Sequence, residues 1–167
     1  MLIFSGMYGH EKPTDPACVK SRTGFTITFA DCEVQWISKP KLQTETALST
    51  MEAEINALAH SCQELFPIID IVKSVGKVVG LQIGETAIKV SIHEDNAGAL
   101  VLAKALPPQS TQRSKYYAGK TTWFRKEINK QKLVLLKIDT VKQLGDFFTK
   151  GLTRTTFEYL QKKISGW

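Results

Sequence analysis

The sequence contains little cysteine, and this scarcity excludes several classes of protein. Its three cysteines, Cys18, Cys32 and Cys62, form no Cys-x-x-Cys pair, and an odd number cannot all pair within one chain. We therefore expect reduced thiols rather than a disulfide scaffold. The three histidines are also far apart in sequence, so a zinc site built from cysteine and histidine is not expected.

Long apolar segments are missing as well. No uninterrupted hydrophobic run approaches the roughly 18 residues that a membrane-spanning helix needs, and the opening MLIFSGMYG lacks the basic flank and apolar length of a signal peptide. We expect an intracellular protein, in the cytoplasm or the nucleus, with no membrane partner. The 167 residues, 43% of them hydrophobic, are enough for a single folded domain over residues 1–167.

Negative charge is in deficit, because 22 Lys and Arg face 16 Asp and Glu, which gives a net charge of +6. The excess is concentrated between Arg113 and Lys132, where seven basic residues and one Glu are interleaved with four aromatic residues. Basic groups neutralise phosphates and aromatic rings stack on bases, so a nucleic-acid surface is one interpretation. A solvated helix whose Trp123 and Phe124 face the core is the other. The candidate binding residues are Arg113, Lys115, Tyr116, Lys120, Arg125 and Lys126.

Alternation of apolar and polar residues predicts the strands. In GFTITFADCEVQWIS the residues Phe25, Ile27 and Phe29 share one face, and the pattern resumes after a polar break, which predicts an antiparallel hairpin. A second alternating segment ends at Ile92, and KLVLLKI is typical of a buried strand. Strands interspersed with helices indicate a mixed α/β domain with a helix-flanked sheet.

Capping residues predict where the helices begin. Ser49 and Glu52 form a capping box at the start of a helix that we expect to end at Phe66-Pro67, and Asn96 is expected to cap a shorter helix. Thr140 with Gln143 predicts a further helix near the C-terminus. The glycine-containing segment KSVGKVVGLQIGET is expected to be a loop.

Three acidic residues have positions that suit a functional site, and each has a plainer explanation. Glu54 borders the apolar stripe of its helix, where it either faces a cation or reaches past the stripe to water. Asp95 follows a strand end, where ligands collect in open α/β sheets, or it stabilises the helix dipole. Asp146 has Lys142 and Lys150 four residues to either side as possible ion-pair partners. Glu94 is expected to be an ordinary surface residue.

Four blocks of the chain resemble the RNase H domain of copia-type retrotransposon Pol polyproteins. They are SKPKLQTETALSTMEAEINALAH, IHEDNAGALVLAK, RSKYYAGKTTWFRKEI and QLGDFFTKGL, in the family's order and spacing. The second corresponds to a family block that reads approximately CDN..A..LA. The resemblance implies an α/β fold of the RNase H-like type, a mixed sheet flanked by helices. It also implies hydrolysis of RNA in RNA–DNA hybrids.

The resemblance further implies a metal site. The family uses two Mg²⁺ or Mn²⁺ ions held by carboxylates, since hard cations prefer oxygen ligands, and a metal pair activates water and stabilises the leaving oxygen. The family's acids fall on Glu54, Asp95 and Asp146, which are the candidate catalytic and metal-binding residues. Expected partners are an RNA–DNA hybrid or another nucleic acid, and the reverse transcriptase part of the polyprotein.

Two departures from the family pattern limit the expected activity. Met1 stands at the first-strand Asp of the family and Ile3 at a second acid, and the first strand is expected to be a truncated stub. Tyr116 and Thr122 replace two histidines. We therefore expect an impaired ribonuclease H whose activity in this copy is weak or absent. The alternative is a non-catalytic remnant that binds nucleic acid.

Overall fold

A five-stranded mixed sheet organises the protein. The computed structural model describes residues 2–8, 22–38, 49–81, 88–104 and 118–166. The strands in these ranges run, in chain order, as β1 (Leu2–Tyr8), β2 (Arg22–Phe29), β3 (Cys32–Ser38), β4 (Ser91–Glu94) and β5 (Val134–Lys137), and the sheet order is β3-β2-β1-β4-β5. Strands β2 and β3 form the antiparallel hairpin that the alternating pattern predicts, β1 pairs antiparallel with β2, and β4 and β5 run parallel to β1.

Four α-helices and two short 3₁₀ helices accompany the sheet in the described ranges. They are α1 (Thr50–Val78), α2 (Ala97–Lys104), α3 (Ala118–Gln131) and α4 (Arg154–Ile164), and the first and second 3₁₀ helices are Thr140–Lys142 and Leu144–Phe148. The mixed α/β class predicted from the sequence is confirmed. No helix in the described ranges is both long and apolar enough to cross a membrane.

The main core lies between one face of the sheet and α1, with α2 and α3 beside it. Alternate residues of a strand point to opposite faces, so Phe25 and Ile27 of β2 project together toward Leu58 and Leu65 of α1. Phe124 of α3 is buried in the same cluster, as the core-facing interpretation of that segment predicted. This packing fixes α1 against the sheet and thereby sets the position of every side chain along it.

The second 3₁₀ helix packs on the other face of the sheet, at Gly24. Alternation along β2 turns this glycine away from Phe25. A Cβ atom placed on Gly24 would lie 2.5 Å from Cγ2 of Thr149 and 2.8 Å from Cβ of Phe148. Ser38 also donates a hydrogen bond to the Phe148 carbonyl at 2.8 Å. The absent side chain therefore lets the segment that carries Asp146 approach the sheet closely.

Two predictions about the elements are wrong. Strand β1 is not a stub, because it has seven residues and lies in the middle of the sheet, paired with β2 over its whole length. Helix α1 does not end at Phe66-Pro67 but continues to Val78, so the start of the expected glycine-containing loop is helical. Proline costs one helical hydrogen bond there, while buried Leu65 and Ile69 on either side keep the helix packed on the core.

The helix predicted at Thr140 is also not α-helical. Its residues form the two 3₁₀ helices, and no side-chain cap is present at Asp139 or Gln143. Tighter 3₁₀ turns are common where tertiary packing governs a short segment. Here the turns place Leu144 against Leu160 of α4 in a second apolar cluster. Asp146, two residues after Leu144, is buried as well.

Candidate metal centre

Glu54 lies near the start of α1 because the cap at Ser49 fixes where that helix begins. The Ser49 hydroxyl accepts a hydrogen bond from the Glu52 backbone N–H at 3.1 Å, as the capping box predicted. Glu54 follows in the second turn between the buried residues Ala53 and Ile55 and is itself only 5% exposed. The side chain therefore does not reach past the apolar stripe to water, which removes one of its two interpretations.

Glu94 and Asp95 lie at the carboxyl end of β4. Ile92 and Glu94 share a face of that short strand and both are 0% exposed, so the chain buries a carboxylate that was expected to be at the surface. The Asn96 backbone N–H donates a hydrogen bond to Oε1 of Glu94 at 3.0 Å. The Asn96 side chain accepts one from the Ala99 N–H, also at 3.0 Å, and so caps α2 as predicted.

Glu54, Glu94 and Asp95 form one cluster. Each offers a carboxylate oxygen, and these ligand atoms all lie within 4.8 Å of one another. Oε2 of Glu54 is buried and accepts no hydrogen bond from any described residue. Burial raises the pKa of Glu54 to about 9, and the negative charges of Glu94 and Asp95 add to the effect. Three clustered acids, two of them fully or nearly fully buried, are unfavourable unless a proton or a cation neutralises them.

Asp146 approaches the same cluster from the second 3₁₀ helix, and it is tied to Lys150. It is 2% exposed, and its charge acts on Glu54. Nζ of Lys150 lies 2.8 Å from both carboxylate oxygens, although only the contact to Oδ2 has hydrogen-bond geometry. Burial raises the pKa of Asp146 to about 6 even though Lys150 opposes the shift. The other predicted partner, Lys142, pairs with Asp139 instead.

Lys150 faces more than one acid of the cluster. Its burial by itself lowers the pKa of its ammonium group, but the hydrogen bond and charge of Asp146, together with Asp95 and Glu54, raise that pKa overall. Four carboxylates and one ammonium leave a formal excess of negative charge within the site. The unpartnered Oε2 of Glu54 and the all-oxygen donor set fit a hard divalent cation.

The comparisons with known proteins identify relatives among transposon polyproteins. The chain is 30% identical over 87% of its length to the retrovirus-related Pol polyprotein from transposon TNT 1-94 of Nicotiana tabacum. It is 27% identical over 86% of its length to the corresponding polyprotein from transposon RE2 of Arabidopsis thaliana, and 26% to that from transposon RE1. The chain is homologous to part of these transposon Pol polyproteins.

That homology covers only a small part of each relative. The chain spans 9 to 10% of the length of the Pol polyproteins it matches. No protein-family model matches the sequence, and no solved structure matches it. The homology therefore relates this chain to a segment of a Pol polyprotein, and the activity of that segment is a separate question.

The register of β1 indicates which of its residues is level with the acid cluster, whereas the replacement of a first-strand metal ligand by Met1 stays a prediction. Leu2 pairs with Ser91 and Phe4 with His93, so the residue of β1 level with Glu94 is Ser5. Met1 itself lies outside the described residues. A strand rises about 3.3 Å per residue, so the start of β1 is roughly 10 Å from the level of the acids. The position beside the cluster on β1 is thus near Ser5, and it carries no carboxylate.

The predicted nucleic-acid residues are only partly described. Arg113, Lys115 and Tyr116 lie outside the described ranges. Lys120 donates a hydrogen bond to the Asn56 side chain at 3.0 Å, and Nη2 of Arg125 donates to the Leu102 carbonyl at 3.2 Å. Both contacts hold α3 to its neighbours. Lys126 is exposed.

Sequence reasoning missed Glu94 and gave Lys150 only the role of an ordinary helix partner. A signal for Glu94 was present, because Ile92 and Glu94 are two residues apart and belong to the same face of an alternating strand. Nothing in the sequence marks the two oxygens of Asp146 as equidistant from the Lys150 ammonium. That arrangement depends on how the second 3₁₀ helix sits against the sheet.

Proposed function

We propose that the chain is an RNase H-like domain of a copia-type retrotransposon polyprotein, and that its acid cluster holds divalent cations for hydrolysis of the RNA strand of RNA–DNA hybrids. One observation carries the proposal. Glu54 is 5% exposed, lies within 4.8 Å of Glu94 and Asp95 through its ligand atoms, and has a buried oxygen with no hydrogen-bond partner in the described part of the chain. A buried carboxylate of this kind is neutralised by a proton or by a cation, and the neighbouring acids supply the further oxygen ligands that a hard cation would use.

The chain's own residues would hold Mg²⁺ or Mn²⁺ and place it against a phosphodiester. Glu54, Glu94 and Asp95 are the ligands, and Asp146 lies next to them. A bound divalent ion would supply Lewis-acid stabilisation of charge on the phosphate and a more acidic water. The Asn96 N–H orients Glu94 through its hydrogen bond, and the rigid ends of α1 and β4 restrict where the carboxylates can move.

Weak activity is expected, because no acid is contributed by β1 at the level of the cluster, where Ser5 lies. The alternative is a non-catalytic binder that uses the same cations, of which Lys120 and Arg125 also donate hydrogen bonds to Asn56 and Leu102. The reverse transcriptase part of a polyprotein is the protein partner that we propose.

The test is cleavage of a labelled RNA–DNA hybrid in Mn²⁺ with the protein in excess. We expect slow cleavage of the RNA strand that EDTA abolishes and that Glu54→Gln reduces at least tenfold. Glu64→Gln is the matched control, because Glu64 lies on the same helix with a side chain that is 40% exposed. Equal cleavage by the Glu54→Gln and Glu64→Gln proteins, or no cleavage by any of them, would contradict the proposal.

A further inference from the structure

Glu94 is the most completely buried acid of the cluster. It is 0% exposed, whereas Glu54 is 5% and Asp146 is 2% exposed, and Asp95 is half-buried. Burial is the main cause that raises the pKa of Glu54, and among the neighbouring acids the charge of Glu94 has the largest effect on it. A carboxylate in such surroundings is costly unless a proton or a cation neutralises it. The position of Glu94 is therefore unfavourable in the metal-free protein.

The hydrogen bond that orients Glu94 requires an acceptor but no charge. Oε1 of Glu94 accepts this hydrogen bond from the Asn96 backbone N–H at 3.0 Å, at the turn between β4 and α2. A glutamine in place of Glu94 would accept the same hydrogen bond and would not repel the carboxylates of Glu54 and Asp95. Because a neutral amide would make the turn at a lower electrostatic cost, the carboxylate is better explained by a ligand that binds negative charge.

Strand β1 brings no carboxylate to the site, because its seven residues, LIFSGMY, include neither Asp nor Glu. Strand β4 is the parallel neighbour of β1 in the sheet. Neighbouring strands are roughly 5 Å apart, so an acid at the carboxyl end of β4 can reach a cation that an acid on β1 would also reach. Glu94 stands at that strand end, and its ligand atom lies within 4.8 Å of those of Glu54 and Asp95.

We propose that Glu94 is a metal ligand that the family pattern lacks, and that it supplies from the end of β4 the carboxylate that β1 does not. The inference rests on the proposed function, because it assumes that the cluster binds a divalent ion. It goes beyond the family resemblance, which assigns metal binding to Glu54, Asp95 and Asp146 and has Cys before the strand-end Asp. Oε2 of Glu54 and Oδ1 of Asp146 are both buried without a hydrogen-bond partner among the described residues, so the cluster offers further oxygen atoms to a cation.

Glu94→Gln separates metal binding from local structure, because glutamine keeps the acceptor for the Asn96 N–H and loses the charge. We expect the affinity for Mn²⁺, measured by calorimetry and by electron paramagnetic resonance of free Mn²⁺, to fall at least tenfold. In EDTA the urea midpoint of Glu94→Gln should equal or exceed that of the wild-type protein. Glu33→Gln is the matched control, because the Glu33 carboxylate is also partly buried and accepts a hydrogen bond from Thr26, but lies on the edge strand β3. It should bind Mn²⁺ with wild-type affinity.

A second measurement needs no substitution and decides the question if Glu94→Gln does not fold. The wild-type protein is labelled with ¹³C at its glutamate carboxyl carbons and titrated with Mg²⁺. Saturating Mg²⁺ should shift two of the carboxyl resonances, those of Glu54 and Glu94. If Glu94 is not a ligand, only the resonance of Glu54 should shift.

The outcomes distinguish the role of Glu94 from the proposed function. Three results would overturn the role of Glu94: a single shifted resonance, unchanged Mn²⁺ affinity in Glu94→Gln, or a loss of affinity that a lower metal-free urea midpoint accompanies. Cleavage of the RNA strand by the wild-type protein would then still support the proposed function. Wild-type protein that binds neither Mn²⁺ nor Mg²⁺ would overturn both. Metal binding is measured without turnover, so weak catalysis does not obscure the result.

Discussion

Replacing Glu54 by glutamine should stabilise the metal-free protein, although it removes the central acid of the proposed site. Glutamine has nearly the same shape and carries no charge. Burial and the neighbouring acids raise the pKa of Glu54 from its ordinary value of 4.5 to about 9. At pH 7.5 the folded protein therefore holds a proton that the unfolded chain releases, and folding includes the cost of that proton uptake.

The expected change in the free energy of unfolding follows from the difference between the solution pH and the pKa of Glu54 in the unfolded chain. About three pH units at roughly 1.36 kcal/mol each give an upper limit of about 4 kcal/mol at pH 7.5. Partial relaxation around the carboxylate reduces this, so we expect the free energy of unfolding to rise by about 1–4 kcal/mol in Glu54→Gln. Urea denaturation in EDTA, followed by tryptophan fluorescence, measures the difference directly.

The pH dependence has a definite sign. The pKa of Glu54 is higher in the folded protein than in the unfolded chain. Glu54 therefore makes its full contribution to stability below pH 4.5, and this contribution is lost as the pH rises toward 9. The metal-free wild-type protein should therefore become less stable between pH 5 and 9, and Glu54→Gln should lose part of this slope. Asp146, whose pKa is raised to about 6, adds a slope of the same sign at lower pH.

Bound metal should reverse the difference in stability between the wild-type and Glu54→Gln proteins. A ligand present at 100 times its dissociation constant stabilises the folded state by about 2.7 kcal/mol, so Mn²⁺ should raise the stability of the wild-type protein but not that of Glu54→Gln. Glu64→Gln, with its more exposed side chain, should change little in either buffer. A metal-free Glu54→Gln protein that is less stable than wild type would refute the reasoning, because it would mean that Glu54 is held ionised in a net favourable pair with Lys150.

Two further predictions concern the backbone that supports the site. Gly24→Ala should lower the free energy of unfolding by about 1–3 kcal/mol, because its Cβ would lie 2.5 Å from Thr149 Cγ2. The control Gly119→Ala meets nothing within 4 Å and should be neutral or slightly stabilising. Equal effects of the two substitutions would show that the segment around Thr149 moves away from the new Cβ at little cost. Pro67→Ala should raise the free energy of unfolding by up to about 3 kcal/mol, because it restores a helical hydrogen bond inside α1 at an exposed position. An unchanged midpoint of thermal unfolding would indicate that α1 already accommodates the proline without loss of stability.

Local signals in the sequence accounted for much of the fold. The hairpin of β2 and β3, the start of α1 at Ser49 and the cap of α2 at Asn96 were all predicted, and all are present. Each depends on interactions between residues a few positions apart. The failures, at Pro67 and at Thr140, are positions where a local stop or start signal was outweighed by packing of buried residues on the core.

The sequence by itself determined that acids would stand at a helix start and a strand end, because spacing and caps place Glu54 and Asp95 there, whereas Asp146 was predicted on an α-helix and lies in a 3₁₀ helix. Only the tertiary structure decided that Glu94 joins the cluster, that the Lys150 ammonium lies 2.8 Å from both oxygens of Asp146, and that Ser5 is level with the acids. The physical reason is that burial and charge proximity are properties of several chain segments at once. A strand register or a 3₁₀ turn that shifts by one residue changes them without any change in the local pattern.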